Sequence, residues 1–139
     1  MLTFEAAKRA VLQTRYARKY GIVDSCVKRN NDYGFIINLP YVDEYYYTVQ
    51  IVVHDLNGAF ILSANIDDFN NDYDIYKKIN EFNYNNVINL FNDTNKNQLK
   101  AECKFLTALT ESSLMKAFDF FANYLNDDSS GNLEQLFQL

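Results

Sequence analysis

One histidine is the first residue to consider, because imidazole is the side chain that most often transfers protons or binds metals near neutral pH. His54 is the only histidine in the 139 residues, and Asp55 is the acidic residue next to it. Catalysis or metal binding needs further groups at a defined spacing, and neither a Ser/His/Asp nor a Cys/His set can be assembled from this sequence. We therefore expect His54 to be a solvated residue beside a turn, and the protein not to be an enzyme.

A cluster of acidic and amide side chains is the second candidate, because calcium prefers oxygen ligands. An EF-hand loop would need a glycine at its sixth position and a glutamate at its twelfth, and the cluster has neither. Helix capping is the simpler interpretation. The four glycines are isolated, which excludes a glycine-rich phosphate loop. We expect no metal site and no cofactor. The cluster comprises Asp67, Asp68, Asn70, Asp72 and Asp74.

The two cysteines, Cys26 and Cys103, have no metal-ligand spacing. Both fall in segments whose pattern predicts a strand. Free cysteine in a strand usually behaves as a small buried hydrophobic residue, and we expect that of both.

The clearest structural signal lies in residues 45–66. Residues 45–54 alternate, with β-branched and aromatic side chains on one face, which is typical of a strand buried on one side. Asn57 and Gly58 supply the positive-φ residues that a tight turn needs, so the runs on either side should pair as a β-hairpin.

Periodicity predicts the remaining elements. Helices are expected over 3–20, 73–82 and 111–125, and further strands over 22–28, 33–39, 86–91 and 98–106. The order is α-ββββ-α-ββ-α, which indicates an α+β fold with one antiparallel sheet and helices packed mainly on one face. Residues 1–126 form the single predicted domain, and 127–139 a flexible linker with a short amphipathic tail.

Several apolar side chains are not needed for the predicted core. Tyr46 and Val52 lie on the outer face of the predicted hairpin, where they could contact a partner, be covered by a helix or form cross-strand pairs. The tail offers three more candidates for partner contacts: Leu133, Leu136 and Phe137. An extended partner segment bound on this surface or at a strand edge would make the protein a chaperone-like binding module, which we expect to act as a homodimer.

Charge is distributed unevenly. The formal net charge is −5, yet residues 1–30 contain seven Lys or Arg and two carboxylates. The acidic balance disfavours nucleic-acid binding, although the basic side chains of the first helix keep it as an alternative: Arg9, Arg15, Arg18 and Lys19. A second alternative is an acidic inhibitor or decoy, for example phage-encoded, that imitates nucleic acid.

The N-terminus lacks the apolar core of a signal peptide, and no apolar run approaches the roughly 20 residues that span a bilayer. We therefore expect a cytoplasmic protein.

The element order and several stretches resemble the YbjN family, small bacterial proteins grouped as sensory-transduction regulators with a type III secretion chaperone-like fold. The resemblance covers roughly residues 12–126 and implies a non-enzymatic binding or chaperone-like protein that is often dimeric and has no cofactor. The matching stretches are Asn38-Leu39-Pro40, Thr48–Val53, Phe60-Ile61-Leu62-Ser63-Ala64, Ile79-Asn80-Glu81-Phe82-Asn83 and the strand–helix unit from Leu99 to Leu125. The basic first helix and the tail after Gly131 have no counterpart in the family pattern.

Overall fold

The computed structural model describes residues 1–40, 46–66, 89–93 and 98–125. Within these ranges there are three α-helices and six strands. The helices are α1 (Phe4–Leu12), α2 (Arg15–Tyr20) and α3 (Glu111–Leu125). The strands are β1 (Asp24–Val27), β2 (Tyr33–Pro40), β3 (Tyr46–Asp55), β4 (Phe60–Ile66), β5 (Asn89–Asp93) and β6 (Gln98–Phe105).

The strands form one sheet in the order β1-β2-β3-β4-β6-β5, and every neighbouring pair is antiparallel. The predicted α+β class is therefore confirmed. Predicted and observed strand limits differ by up to three residues. The helix predicted over 73–82 and the tail over 127–139 lie outside the described residues, so these two predictions and the domain limit at 126 stay predictions.

The hydrophobic core lies on one face of the sheet, because alternate side chains of the strands point to that face. Phe35 of β2 packs edge-on against Phe118 of α3, with ring centroids 5.9 Å apart. Residues of all three described helices belong to the same core. For these helices, the prediction that they pack on one face of the sheet is confirmed. We call this the inner face. The largest fully buried side chains of the core, from the sheet and the described helices together, are Tyr16, Phe35, Phe60, Phe118, Phe121, Ile37, Ile51 and Leu62.

The turn between β3 and β4 forms as its sequence predicts. Asn57 has φ 56° and Gly58 has φ 101°, and the Leu56 N–H donates to the Ala59 carbonyl at 2.9 Å. Two positive-φ residues in succession match the right-handed twist of the flanking strands. The turn therefore sets the register, which places Val53 opposite Leu62 on the inner face.

The prediction of one helix over 3–20 is wrong. α1 ends at Leu12 and α2 begins at Arg15, because Thr14 has extended backbone and serves both helices. Its hydroxyl donates to the Val11 carbonyl at 2.6 Å and accepts from the Ala17 N–H at 3.1 Å. The predicted cap at Thr3 is present, and Gly21 leaves α2 with φ 80°.

The prediction that both cysteines are buried is wrong for Cys26, which is exposed. β1 is an edge strand with a single neighbouring strand, so its side chains have fewer contacts than those of a central strand. Cys103 is half-buried on β6, and burial raises the pKa of its thiol.

Candidate protein-binding surfaces

The outer face of the sheet is the side opposite the core. Val52 lies there between Gly34 of β2 and Ser63 of β4, its cross-strand partners. Ile36 and Ile61 occupy the diagonal positions on either side, and the three side chains are half-buried. We call Ile36, Val52 and Ile61 the outer-face patch. Among the partner contacts predicted from the sequence, Val52 is the one whose side chain the structure describes and places in this patch.

Gly34 makes room beside this patch. A Cβ on Gly34 would lie 2.7 Å from Gln50 Nε2 and 3.3 Å from Cys26 Sγ, so the neighbouring side chains use the space that a larger residue would fill. Gln50 Oε1 accepts from Lys28 Nζ at 2.6 Å, and Gln50 Nε2 contacts Cys26 Sγ at 3.5 Å. The patch is therefore bordered on this side by an ordered polar group.

The other sequence-predicted partner contacts are not brought to this surface by described side chains. Tyr46 begins β3 and its backbone is paired with Pro40, but its side chain lies outside the description. Leu133, Leu136 and Phe137 fall in residues 126–139, which are also outside it. Ile36 and Ile61 were not predicted from the sequence, although their alternation with Phe35 and Leu62 could have placed both on the outer face.

His54 has a partner that the sequence analysis did not find. Its Nδ1 lies 2.6 Å from Asp32 Oδ1, across the β2–β3 ladder, while 44% of the His54 side chain stays exposed. Their positions just beyond the Tyr33–Val53 pair bring them together. Among the residues that the structure describes, no three His, Cys, Asp or Glu side chains are placed to hold a metal ion. The His54–Asp32 contact therefore joins β3 to the residue that precedes β2, and no described side chain completes a metal-binding set around it.

The exposed edge of the sheet at β1 is less suitable for adding a strand than its position suggests. Val23 and Val27 are 58% and 54% exposed, which would favour association. However, the Ser25 N–H donates to the Asp24 carboxylate at 2.8 Å. A donor that an incoming strand could use is thus already engaged.

The four basic residues predicted on one helix are divided between two. Arg9 of α1 forms an ion pair with Glu111 of α3 at 2.8 Å, and Glu111 raises the pKa of Arg9 through this hydrogen bond and its charge. Arg15, Arg18 and Lys19 follow the i, i+3, i+4 spacing on α2, so they share one exposed side. Arg9 is therefore neutralised by a neighbour, whereas the other three form a basic strip.

An open groove runs along the solvent side of α3. We call it the α3 groove; its volume is about 560 Å³, and it is lined by Arg15, Lys116, Asp119, Phe120, Asn123 and Tyr124. Phe120 is 41% exposed, and its ring contacts those of Tyr124 and Phe105 with centroids 5.9 Å and 6.3 Å away. The groove combines exposed aromatic surface with two cations.

Asp119, the acidic residue of the α3 groove, already has backbone partners. Its carboxylate accepts from the N–H of Arg15 at 3.1 Å and from the N–H of Tyr16 at 2.8 Å. The negative charge stabilises the first turn of α2, and it leaves the charged residues that line the groove with a net charge of +1. Nothing in the sequence pattern linked Asp119 to residues more than one hundred positions away.

No family model matches the chain, and no curated protein matches its sequence. None of the helices that the structure describes is long and apolar enough to cross a membrane.

Proposed function

We propose that the protein is a non-enzymatic protein-binding module, chaperone-like or regulatory, that holds its partner on the outer-face patch. One observation supports this most directly. The described helices pack on the inner face, while Ile36, Val52 and Ile61 place aliphatic surface on the face that no described element covers. Apolar side chains grouped on a sheet face stabilise association when a partner removes them from water.

The composition around the patch supports protein binding over nucleic-acid binding. The direct cross-strand neighbours of Val52 are Gly34 and Ser63, neither of which carries a charge. The centres of protein interfaces are poor in charged residues, because a buried charge needs a partner to offset its lost hydration. Lys104, the cross-strand partner of Ile61, and Lys28 border the patch, as the polar rim of an interface would require.

The resemblance to the YbjN family and to secretion chaperones supports the same proposal, since it implies binding of a protein and often a dimer. Face-to-face contact of two outer faces would bury the patch symmetrically, so a second copy is a natural partner. The outer-face patch is the contact surface in both cases, whether the occupant is another protein or a second copy of the chain.

Val52→Lys tests the proposal by placing a charge at the centre of the patch. We expect the variant to keep its circular dichroism spectrum, because Val52 is outside the core, and to lose partner recovery or dimer mass by at least tenfold. Pull-down with identified partners and light scattering after size exclusion measure the two. Leu12→Lys is the matched control, since Leu12 is 50% exposed at the end of α1, which packs on the opposite face of the sheet, and this variant should retain both partner recovery and dimer mass. A wild-type chain that is monomeric and recovers no partner, or equal recovery by both variants, contradicts the proposal.

A further inference from the structure

We propose that the chain's own C-terminal segment, residues 126–139, docks in the α3 groove. The attachment point is the first reason. α3 ends at Leu125, and Asn123 and Tyr124 line one end of the groove. The segment therefore begins within two residues of the surface that it would occupy, and no other part of the chain outside the described residues is attached there.

The length of the segment fits the length of the groove. The lining residues run back along α3 from Tyr124 to Lys116, which is about 12 Å at the helical rise of 1.5 Å per residue. Residues 126–131 contain two serines and a glycine, and a flexible chain of this length has a root-mean-square span of about 13 Å. Such a linker can reverse the chain and return residues 132–139 along α3.

The chemistry of the two surfaces is complementary. The groove offers the rings of Phe120 and Tyr124 together with the cations of Arg15 and Lys116. The segment carries apolar residues at helical spacing and three carboxylates: Leu133, Leu136, Phe137, Asp127, Asp128 and Glu134. Arg15 also belongs to the basic strip of α2, so the positive charge continues onto that helix, while Asp119 leaves the charged lining of the groove with a net charge of +1. Attraction between the carboxylates of the segment and the cations of the groove would add to the stabilisation from burying apolar side chains on the aromatic rings.

Tethering makes a weak contact sufficient. A short flexible linker gives an effective concentration in the millimolar range, so a contact too weak to join separate molecules can still close within one chain. The α3 groove and the outer-face patch lie on opposite sides of the sheet, and docking is therefore independent of the function proposed above.

Hydrogen exchange measured by mass spectrometry on the full chain tests this proposal. We expect the amides of residues 132–138 to exchange at least tenfold more slowly than in an unstructured peptide. Lys116→Glu should remove most of this protection, as should Phe120→Ser. Lys104→Glu is the charge-matched control, because Lys104 is exposed on the outer face of β6 and should leave the tail protected.

Charge exchange provides the second arm. The variant Lys116→Glu combined with Asp127→Lys and Asp128→Lys should regain part of the protection, which a general loss of stability would not allow. Tail amides that exchange at unstructured rates in the wild-type chain overturn the proposal. Equal protection in Lys116→Glu and Lys104→Glu also overturns it. Protection that increases with protein concentration overturns it as well, since it would show the segment in the groove of a second copy.

Discussion

Tyr16 is the residue that ties the helices most directly to the sheet. It is 1% exposed, and its hydroxyl donates to the Asn38 carbonyl of β2 at 3.0 Å. Its ring lies 4.9 Å from that of Tyr20 and 6.5 Å from that of Phe118. A single side chain of α2 thus contacts α3 and a sheet strand together. Burial, and to a smaller extent Tyr20, raises the pKa of Tyr16.

Tyr16→Phe should lower the free energy of unfolding by about 1 kcal/mol, because the Asn38 carbonyl loses its donor while the ring packing remains. Urea unfolding measures the difference. Tyr20→Phe is the matched control on the same helix, since Tyr20 is 44% exposed, and we expect it to change stability by only a few tenths of a kcal/mol. Equal losses in the two variants would contradict the role assigned to the buried hydroxyl.

The raised pKa of Tyr16 also predicts how stability depends on pH. The unfolded phenol ionises near pH 10, whereas the folded one resists ionisation, so the unfolded state alone gains from proton release above that pH. The stability contributed by Tyr16 is complete below about pH 10 and is lost as the pH rises toward its folded pKa. Wild-type stability should therefore fall more steeply than that of Tyr16→Phe between pH 9 and about pH 11, as measured by urea unfolding. Parallel curves would contradict this cause.

Sequence reasoning was successful at the residues whose conformation depends on near neighbours. Thr3 caps α1, and Asn57 with Gly58 forms the predicted turn, because each acts within three positions of itself. Tyr16 was not singled out, since its partner Asn38 is 22 positions away and no local pattern connects them. The His54–Asp32 pair was missed for the same reason.

At the scale of elements, α2 depends on α3. Six residues are too few for a helix to be stable alone in water. The Asp119 carboxylate supplies acceptors to two N–H groups in the first turn of α2, which that turn cannot satisfy within the helix. The sequence analysis predicted one long helix because the residues on both sides of Thr14 continue a helical pattern, and Thr14 is equally suited to be a cap.

Asp119→Ala should reduce the free energy of unfolding by about 1–2 kcal/mol, because two backbone donors, the exposed one of Arg15 and the half-buried one of Tyr16, lose a charged acceptor. Asp119→Asn should have a free energy of unfolding between those of the wild type and Asp119→Ala, since the amide keeps one acceptor oxygen without the charge. Asn123→Ala is the control from the next turn of α3: Asn123 is exposed and its side chain donates to the Asp119 carbonyl. Thermal and urea unfolding measure all three. A loss for Asn123→Ala as large as that for Asp119→Ala would contradict the capping role.

At the scale of the whole molecule, the first and last described helices close the structure by packing on each other. Ala7, Ala10 and Val11 of α1 are buried in the core that also contains α3, and Arg9 and Glu111 join the same two helices at the surface. Residues about one hundred positions apart must therefore meet before either helix is stable. Contacts of such long sequence separation usually form slowly and cooperatively.

Ala10→Leu should destabilise the protein by about 1–3 kcal/mol, because Ala10 is 1% exposed and a larger side chain would push α1 away from its neighbours. Lys8→Leu introduces the same side chain on the exposed side of α1, and its free energy of unfolding should stay within about 0.5 kcal/mol of the wild-type value. Cooperative thermal unfolding followed by circular dichroism gives both values. A harmless Ala10→Leu would mean that α1 is packed less closely than its burial indicates.

The α+β class and four of the five strand pairings follow from local signals and from the tendency of successive strands to pair, yet the position of β6 between β4 and β5 does not. That order depends on contacts across the whole chain. Only one of the three residues of the outer-face patch was predicted, because alternation identified Val52. The importance of Ile36 and Ile61 depends on the β2–β3–β4 register, which brings both diagonally beside Val52.

The Asp24 carboxylate at the edge of β1 has a further consequence, which concerns fibril growth. Fibrils elongate when a new chain hydrogen-bonds to the open edge of a sheet. At this edge an arriving chain must first displace Asp24 from the Ser25 N–H, and it thereby loses a charge-assisted hydrogen bond before it gains one. The obstacle acts on elongation itself. The edge at β1 is thus a poor template for a further strand, although the outer face of the sheet is aliphatic.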